Sequence, residues 1–300
     1  MHHDNGPLGA ATIDRAETRR VELLKANGYN AIRTSHNPVS PAFLAACDRL
    51  GMLVMDEAFD CWSRGKNDDD YHIYFNRWWR HDLAAMVLRD RNHPSVAIWS
   101  IGNEIPIRNI PLGYNLSAQL ASFVRALDPQ KRPVTSAYPG VDDKADPFFA
   151  PLDLAGYNYS PQRYESDHKR HPDRVMVATE SFPDESYMYW SNVWNHSYVV
   201  GDFIWTALDY IGESAIGNPG PGQTALSGGD GADPLGSCYT DEAWSFHTSN
   251  CGDLDIAGFK KPQVRGRRRR HHHHLHLTTD HLHLTTSAST SPPQSNYRNV

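Results

Sequence analysis

The sequence lacks the features that mark several specialised classes of protein. Its four cysteines form no CxxC pair, which argues against a zinc site or a disulfide scaffold. No run of about 18 apolar residues predicts a membrane span, and the N-terminus has no apolar core of a signal peptide. The net charge is −6 with a pI near 6.3, so a nucleic-acid-binding protein is not expected. These absences leave a globular chain whose compartment and oligomeric state stay open.

What the sequence does contain is a regular alternation of amphipathic and apolar segments. Three hundred residues, 39% of them hydrophobic, suit the size and core of an α/β barrel. We predict amphipathic helices over residues 13–27, 41–50, 75–89 and 116–127. We predict apolar strands over residues 29–33, 52–55, 96–101, 133–136, 152–159, 175–180 and 199–205. Helices that alternate with strands indicate a parallel sheet.

Seven predicted strands are one fewer than a closed (β/α)8 TIM barrel requires. The polar run His2-His3-Asp4 has the character of the end of a strand, so we expect the missing first strand to precede residue 1. The predicted fold class is therefore α/β, a (β/α)8 TIM barrel that lacks its first strand.

Two glutamates directly follow apolar strands. Glu104 comes after the run at 96–101, and Glu180 ends the run at 175–180. α/β barrels keep their chemistry at the carboxyl ends of the strands, so we expect both carboxyls at one end of the barrel. Glycoside hydrolysis uses such a pair: one carboxyl protonates the leaving oxygen, and the other attacks the anomeric carbon when they lie roughly 5–5.5 Å apart. The alternative is two unrelated surface carboxylates.

Three motifs resemble those of glycoside hydrolase family 2, most closely its β-galactosidase-like members. They are AIRTSHNP at 31–38, CDRLGMLVMDEAFD at 47–60, and the stretch from RNHPS at 91–95 to Asn103-Glu104. The similarity covers about residues 1–263, which we interpret as a catalytic barrel domain. It implies a retaining β-glycosidase with Glu104 as the general acid/base and Glu180 as the nucleophile.

The resemblance also gives roles to residues beside the two glutamates. Asn103 is expected to hydrogen-bond the sugar 2-hydroxyl, a contact that strengthens in the transition state. Tyr159 is expected to hold Glu180 ionised and oriented, with a plain core tyrosine as the alternative. Arg33 is expected to lower the pKa of the nucleophile, and His36 to bind sugar hydroxyls; a structural ion pair is the alternative for both.

Two further strand ends contribute candidate substrate contacts. Trp205 offers a ring face for the sugar, although a barrel-packing tryptophan is nearly as good an interpretation. Three carboxylates, Asp56, Glu57 and Asp60, follow the strand at 52–55, and we expect them to contact sugar hydroxyls or a cation. One carboxylate cluster without a spaced partner set is not a ligand cage, so we predict no metal site and no cofactor.

The expected partner is a carbohydrate. A glucuronidase of this family is expected to carry an Asn-x-Lys signature, and the nearest candidate, Asn250-Cys251-Gly252, lacks the lysine. This favours a neutral sugar such as galactose. A β-mannosidase, a β-glucuronidase and an inactive carbohydrate-binding barrel fragment remain as alternatives. Because family members carry β-sandwich domains ahead of the barrel, we expect residues 1–300 alone to have little or no activity.

The C-terminal segment breaks the pattern. Residues 264–294 are rich in Arg and His and of low complexity, so we predict that they are disordered. Residues 295–300 (SNYRNV) again resemble the family. We interpret 264–294 as a retained intron translated in frame, because a valine codon begins with GT and Gln294 can be encoded by CAG. A metal- or polyanion-binding tail is the alternative.

Overall fold

A computed structural model describes residues 1–10, 13–183, 185–210, 251–262 and 264. The apolar runs form seven strands of one parallel sheet, in which each strand pairs with the next along the chain. The strands are β1 (Ala31–Arg33), β2 (Leu53–Glu57), β3 (Val96–Asn103), β4 (Val134–Pro139), β5 (Leu154–Asn158), β6 (Met176–Ser181) and β7 (Val199–Ile204). The sheet curls so that β7 approaches β1. The prediction of a TIM barrel lacking one strand is confirmed.

Helices connect successive strands and cover the outside of the sheet. They are α1 (Asp14–Ala26), α2 (Pro41–Leu50), α3 (His72–Asp90), α4 (Pro111–Leu127), α5 (Asp146–Phe149), α6 (Tyr164–Arg170) and α7 (Ser186–Asn195), with short 3-10 helices at Gly6–Leu8, Asp143–Ala145 and Pro161–Arg163. The four helices predicted from periodicity are present, although α3 and α4 begin three to five residues earlier than predicted.

The ends of α2 show how local sequence sets an element. Ser40 caps the helix by accepting a hydrogen bond from the Phe43 backbone N–H at 3.2 Å, and Pro41 occupies the first turn. Gly51 ends the helix in the left-handed region with φ of 65°, where a side chain is strained. The chain then enters β2 directly, which places the carboxyl end of β2 beside that of β1.

The described residues form three buried hydrophobic clusters, the smallest of which joins Trp205, Tyr210 and Cys251. Met55, Leu154 and Val177 form a small buried cluster, against which four partly buried residues pack: Ile98, Val175, Val200 and Phe203. A larger cluster contains buried residues of both helices and strands, including Phe43 of α2, Trp99 of β3 and Tyr138 of β4. Side chains alternate along a strand, so Glu57 shares the face of Met55, and the inner face changes from apolar to polar at the carboxyl ends.

Residues outside the strands extend both edges of the sheet. His2 forms a parallel bridge with Ser35, and the Ser35 N–H donates to the Met1 carbonyl at 3.0 Å. Leu254 bridges both Leu208 and Lys260, so part of 251–262 continues the structure after β7. Residues 265–300 lie outside the described residues. They include all but the first residue of the segment 264–294, which the sequence predicts to be disordered. Among the helices that are described, none is long and apolar enough to cross a membrane.

Candidate active site

Polar side chains from five strands meet at the carboxyl end of the barrel. Arg33 ends β1, Glu57 ends β2, Asn103 ends β3, Asn158 ends β5, and Glu180 lies near the end of β6. All five are at most 4% exposed, and the three charged residues among them are rarely buried to this extent unless they are paired. The pairing of these groups therefore decides whether the arrangement is stable.

Arg33 connects the site. Its Nη1 donates to Glu180 Oε1 at 2.8 Å, and its Nη2 donates to Asn103 Oδ1 at 2.8 Å. The guanidinium also makes a two-pronged contact with Glu57, at 3.0 Å from Nε and 2.9 Å from Nη2. Burial opposes the charge, but the carboxylates of Glu57 and Glu180 raise the pKa of Arg33 above its usual value. Arg33 is therefore a permanent cation between two carboxylates.

Glu180 is held at both oxygens. Oε1 accepts from Arg33, and Oε2 accepts from the Tyr159 hydroxyl at 2.8 Å. Tyr159 follows β5 and stacks on Phe182 with ring centroids 4.3 Å apart. Two donors on a 4% exposed carboxylate fix its orientation, which a nucleophile requires.

Glu104 follows β3 directly, in a backbone conformation with φ of 48°. Its Oε1 accepts from Asn158 Nδ2 at 2.8 Å. Burial and the negative charge of Glu180 raise the pKa of Glu104, although the Asn158 amide opposes the shift. A half-buried carboxyl with a raised pKa retains a proton more readily than a solvated one, as a general acid must.

His36 is a neutral imidazole in this environment. Burial lowers its pKa to about 3, with the Arg33 charge acting in the same direction and Asp60 opposing it. His36 Nδ1 lies 2.6 Å from Glu57 Oε1, so Nδ1 carries the proton and donates it to the carboxylate. His36 Nε2 is then an acceptor, and Asn103 Nδ2 lies 3.2 Å from it.

Asp60 lies at the rim of the same end of the barrel. Its Oδ1 accepts from Asn103 Nδ2 at 3.2 Å and from Lys66 Nζ at 2.5 Å. The Asp60 side chain is 43% exposed, so it remains open to a ligand. The structure therefore brings Asp60 together with Asn103 and His36.

Trp205 follows β7 and is 7% exposed. Its ring is stacked on His36, with centroids 5.0 Å apart and planes 4° from parallel. One face of the indole is thus occupied by the imidazole, and Tyr210 approaches the ring edge-on at 6.2 Å. The packing interpretation explains these contacts without a sugar.

Asp56 and Glu57 are placed differently from the prediction, which had them follow the strand at 52–55. β2 extends to Glu57, so Asp56 and Glu57 lie within the strand. Both are 0% exposed: Glu57 is covered by Arg33, His36 and Ser100, and Asp56 points to the other face, beside Asp90 of α3. Neither is therefore accessible to a sugar.

Asn158 is a site residue that the sequence analysis missed. It lies between an apolar strand and Tyr159, and an asparagine at a strand end was the available signal. Its contact with Glu104 crosses β4, because Glu104 follows β3 and Asn158 ends β5. Over the residues with described positions, no group of His, Cys, Asp or Glu side chains is arranged to hold a metal ion.

The fold and the paired, differently supported glutamates define a class: α/β barrels with two carboxyls at the carboxyl end of the sheet. Residues 1–206 match the family model for the TIM barrel domain of glycosyl hydrolases family 2. The chain belongs to glycosyl hydrolase family 2.

Individual relatives agree with this assignment. The chain is 32% identical to the β-galactosidase BoGH2A of Bacteroides ovatus, over 87% of this chain and 36% of that protein. It is 50% identical to a crystallised glycosyl hydrolase family 2 member from Bacteroides cellulosilyticus, with a TM-score of 0.81 over 89% of this chain and 32% of that one. A β-glucuronidase of Bifidobacterium dentium, 19% identical with a TM-score of 0.68 over 90% of this chain and 45% of that one, shares the fold. The chain spans about a third of the length of the first two.

Proposed function

We propose that this chain is the catalytic barrel of a retaining β-glycosidase that hydrolyses terminal β-galactosides by a two-glutamate mechanism. The observation that supports the proposal is the contrast between the two carboxyls. Glu180 accepts from a cation and a phenol, whereas the pKa of Glu104 is raised by burial and by the charge of Glu180. Environments that differ in this way separate a nucleophile from an acid.

In the first step, Glu180 attacks the anomeric carbon while Glu104 gives its proton to the leaving oxygen. The glycosidic bond breaks, and a glycosyl ester with Glu180 forms. In the second step, Glu104, now ionised, removes a proton from water, and the water oxygen attacks the same carbon and releases Glu180. Two inversions give net retention of configuration.

Asn103 and His36 form the part of the site that binds sugar hydroxyls. Asn103 is held by Arg33, His36 and Asp60, so its amide is fixed before a substrate arrives. Asp60, which is partly exposed, accepts hydroxyl hydrogens at the rim. A neutral sugar fits this set, and the β-galactosidase named among the relatives favours galactose.

The test is hydrolysis of matched aryl β-galactosides, β-glucuronides and β-mannosides by a version that carries the family's β-sandwich domains ahead of the barrel and lacks residues 264–294. Proton NMR identifies the anomer that is released first. We expect the galactoside to be hydrolysed fastest and β-galactose to appear first. Glu180→Gln and Glu104→Gln should abolish hydrolysis, with azide restoring turnover of an activated galactoside by the Glu104→Gln variant. Glu165→Gln, at an exposed position on α6, is the control that should leave activity unchanged. Initial release of the α-anomer would contradict the retaining mechanism.

A further inference from the structure

The hydrogen bonds around Glu104 have a direction that Arg33 fixes. A guanidinium only donates, so Asn103 Oδ1, 2.8 Å from Arg33 Nη2, must be an acceptor. Asn158 Nδ2 lies 3.3 Å from the same oxygen, and it is therefore the amide nitrogen of Asn158 that faces Asn103. The orientation of one asparagine thus determines that of the other.

Thr179 fixes the orientation of the Asn158 amide at its oxygen. Its hydroxyl donates to Asn158 Oδ1 at 2.6 Å. A flipped Asn158 amide would place its Oδ1 against Asn103 Oδ1, two acceptors without a proton between them, whatever the protonation of Glu104. Asn158 is 0% exposed and Thr179 is 1% exposed, so water does not relieve such a conflict. The Asn158 side chain therefore has one stable orientation.

We propose that Asn158 is a positioning residue that keeps Oε1 of Glu104 an acceptor, so that the transferable proton of this acid is carried by Oε2. The amide nitrogen of Asn158, 2.8 Å from Oε1, has hydrogens to give and no lone pair to receive one. In a protonated carboxyl, the carbonyl oxygen is the better acceptor, and it takes the position that faces the donor. The hydroxyl oxygen is then the one that points away from Asn158.

The inference rests on the proposed acid role of Glu104 and adds to it. Because Asn158 supports the carboxylate with a hydrogen bond, it limits how far burial and Glu180 raise the pKa of Glu104. The other charges acting on this carboxyl are Lys66, from the loop after β2, and Arg33, from β1, and both lower its pKa. Asn158 thus influences both where the proton sits and the pH at which it is lost.

The test is a titration of residues 1–300 with carbon-13 in the glutamate carboxyls, in which Glu104 is identified from the Glu104→Gln variant. Asn158→Ala should move the Glu104 titration upward by about 1 to 2 pH units, the value of one hydrogen bond to a charged group. Thr179→Val removes the donor to Asn158 and should move it upward by less. Thr135→Val, which removes a buried hydroxyl bond between β4 and β5, is the control that should leave it in place.

The infrared carbonyl stretch of protonated Glu104 tests the position of the proton. If Oε1 is the carbonyl oxygen, losing its donor in Asn158→Ala raises the stretching frequency; an unchanged frequency would overturn the assignment to Oε2. An unmoved titration in both Asn158→Ala and Thr179→Val would overturn the positioning role, and if Asn158→Ala does not fold, Thr179→Val alone decides. A purely structural asparagine would lower the melting temperature without moving the titration. Neither readout needs turnover, so absent hydrolysis would contradict the proposed function separately.

Discussion

The carboxyl of Asp56 gives a prediction about the pH dependence of stability. Asp56 is 0% exposed, and the groups that face it are Asp90 and Arg89 of α3 and Cys47 of α2, with Glu57 as its neighbour on β2. Burial, followed by the charge of Asp90, raises the pKa of Asp56 well above its usual value. The folded protein therefore binds a proton here that the unfolded chain releases above its ordinary pKa.

The sign of the effect follows from linkage. A raised pKa in the folded state contributes full stability below the unfolded pKa, near 3.9, and this contribution is lost as pH rises towards the folded pKa. Each pH unit in that window costs about 1.4 kcal/mol of unfolding free energy. Asp56→Asn removes this titration while it keeps the shape of the side chain.

Urea unfolding of both proteins at pH 4.5 and 5.5 measures the difference. Between pH 4.5 and pH 5.5, we expect the unfolding free energy of the unsubstituted protein to fall by about 1.4 kcal/mol relative to that of Asp56→Asn. Asp68→Asn, in the exposed loop after β2, is the control and should give no such gain. Parallel pH profiles for the unsubstituted protein and Asp56→Asn would refute the reasoning.

Three further predictions concern polar side chains that are held by hydrogen bonds. Arg33→Met should lower the unfolding free energy by about 3–5 kcal/mol in urea, because it leaves two buried carboxylates without their cation; a loss under 1 kcal/mol would contradict this. Tyr159→Phe should lower kcat/KM about 10- to 100-fold, with an unchanged circular dichroism spectrum, through the lost hydrogen bond to Glu180; unchanged kinetics would refute the role. Burial opposes ionisation of Asp128, but hydrogen bonds led by that from Trp99 lower its pKa, so its stability contribution is present above the unfolded pKa and lost as pH falls. Asp128→Asn should therefore be destabilised at pH 7 and converge with the unsubstituted protein as pH falls below about 4, unlike a merely steric defect.

The sequence was sufficient for the barrel and for the strands that carry the two glutamates. Apolar runs of β3 and β6 are local signals, and their ends are marked by the polar residues that follow. The end of β2 was misplaced because Asp56 and Glu57 interrupt the apolar pattern. Charged residues belong within that strand only because Arg33 covers one of them and α3 covers the other, which are contacts between distant parts of the chain.

The network inside the site could not be predicted for the same reason. The bond from Asn158 to Glu104 depends on the curvature of the sheet, since a strand lies between those that carry them. Likewise, Trp205 meets His36 only because the sheet curls until β7 approaches β1. Linear spacing indicates which residues reach the carboxyl end of the barrel, and not which of them touch.

The most direct test of the two-glutamate site is covalent trapping with an activated 2-deoxy-2-fluoro-β-galactoside, followed by mass spectrometry of the peptides. One turnover is enough, so the experiment works with residues 1–300 even if hydrolysis is slow. We predict a fluorogalactosyl ester on Glu180, absent from Glu180→Gln and still formed in Glu104→Gln, because an activated leaving group needs no acid. A label on another residue of the folded protein, or none at saturating reagent, would contradict the assignment of Glu180 as the nucleophile.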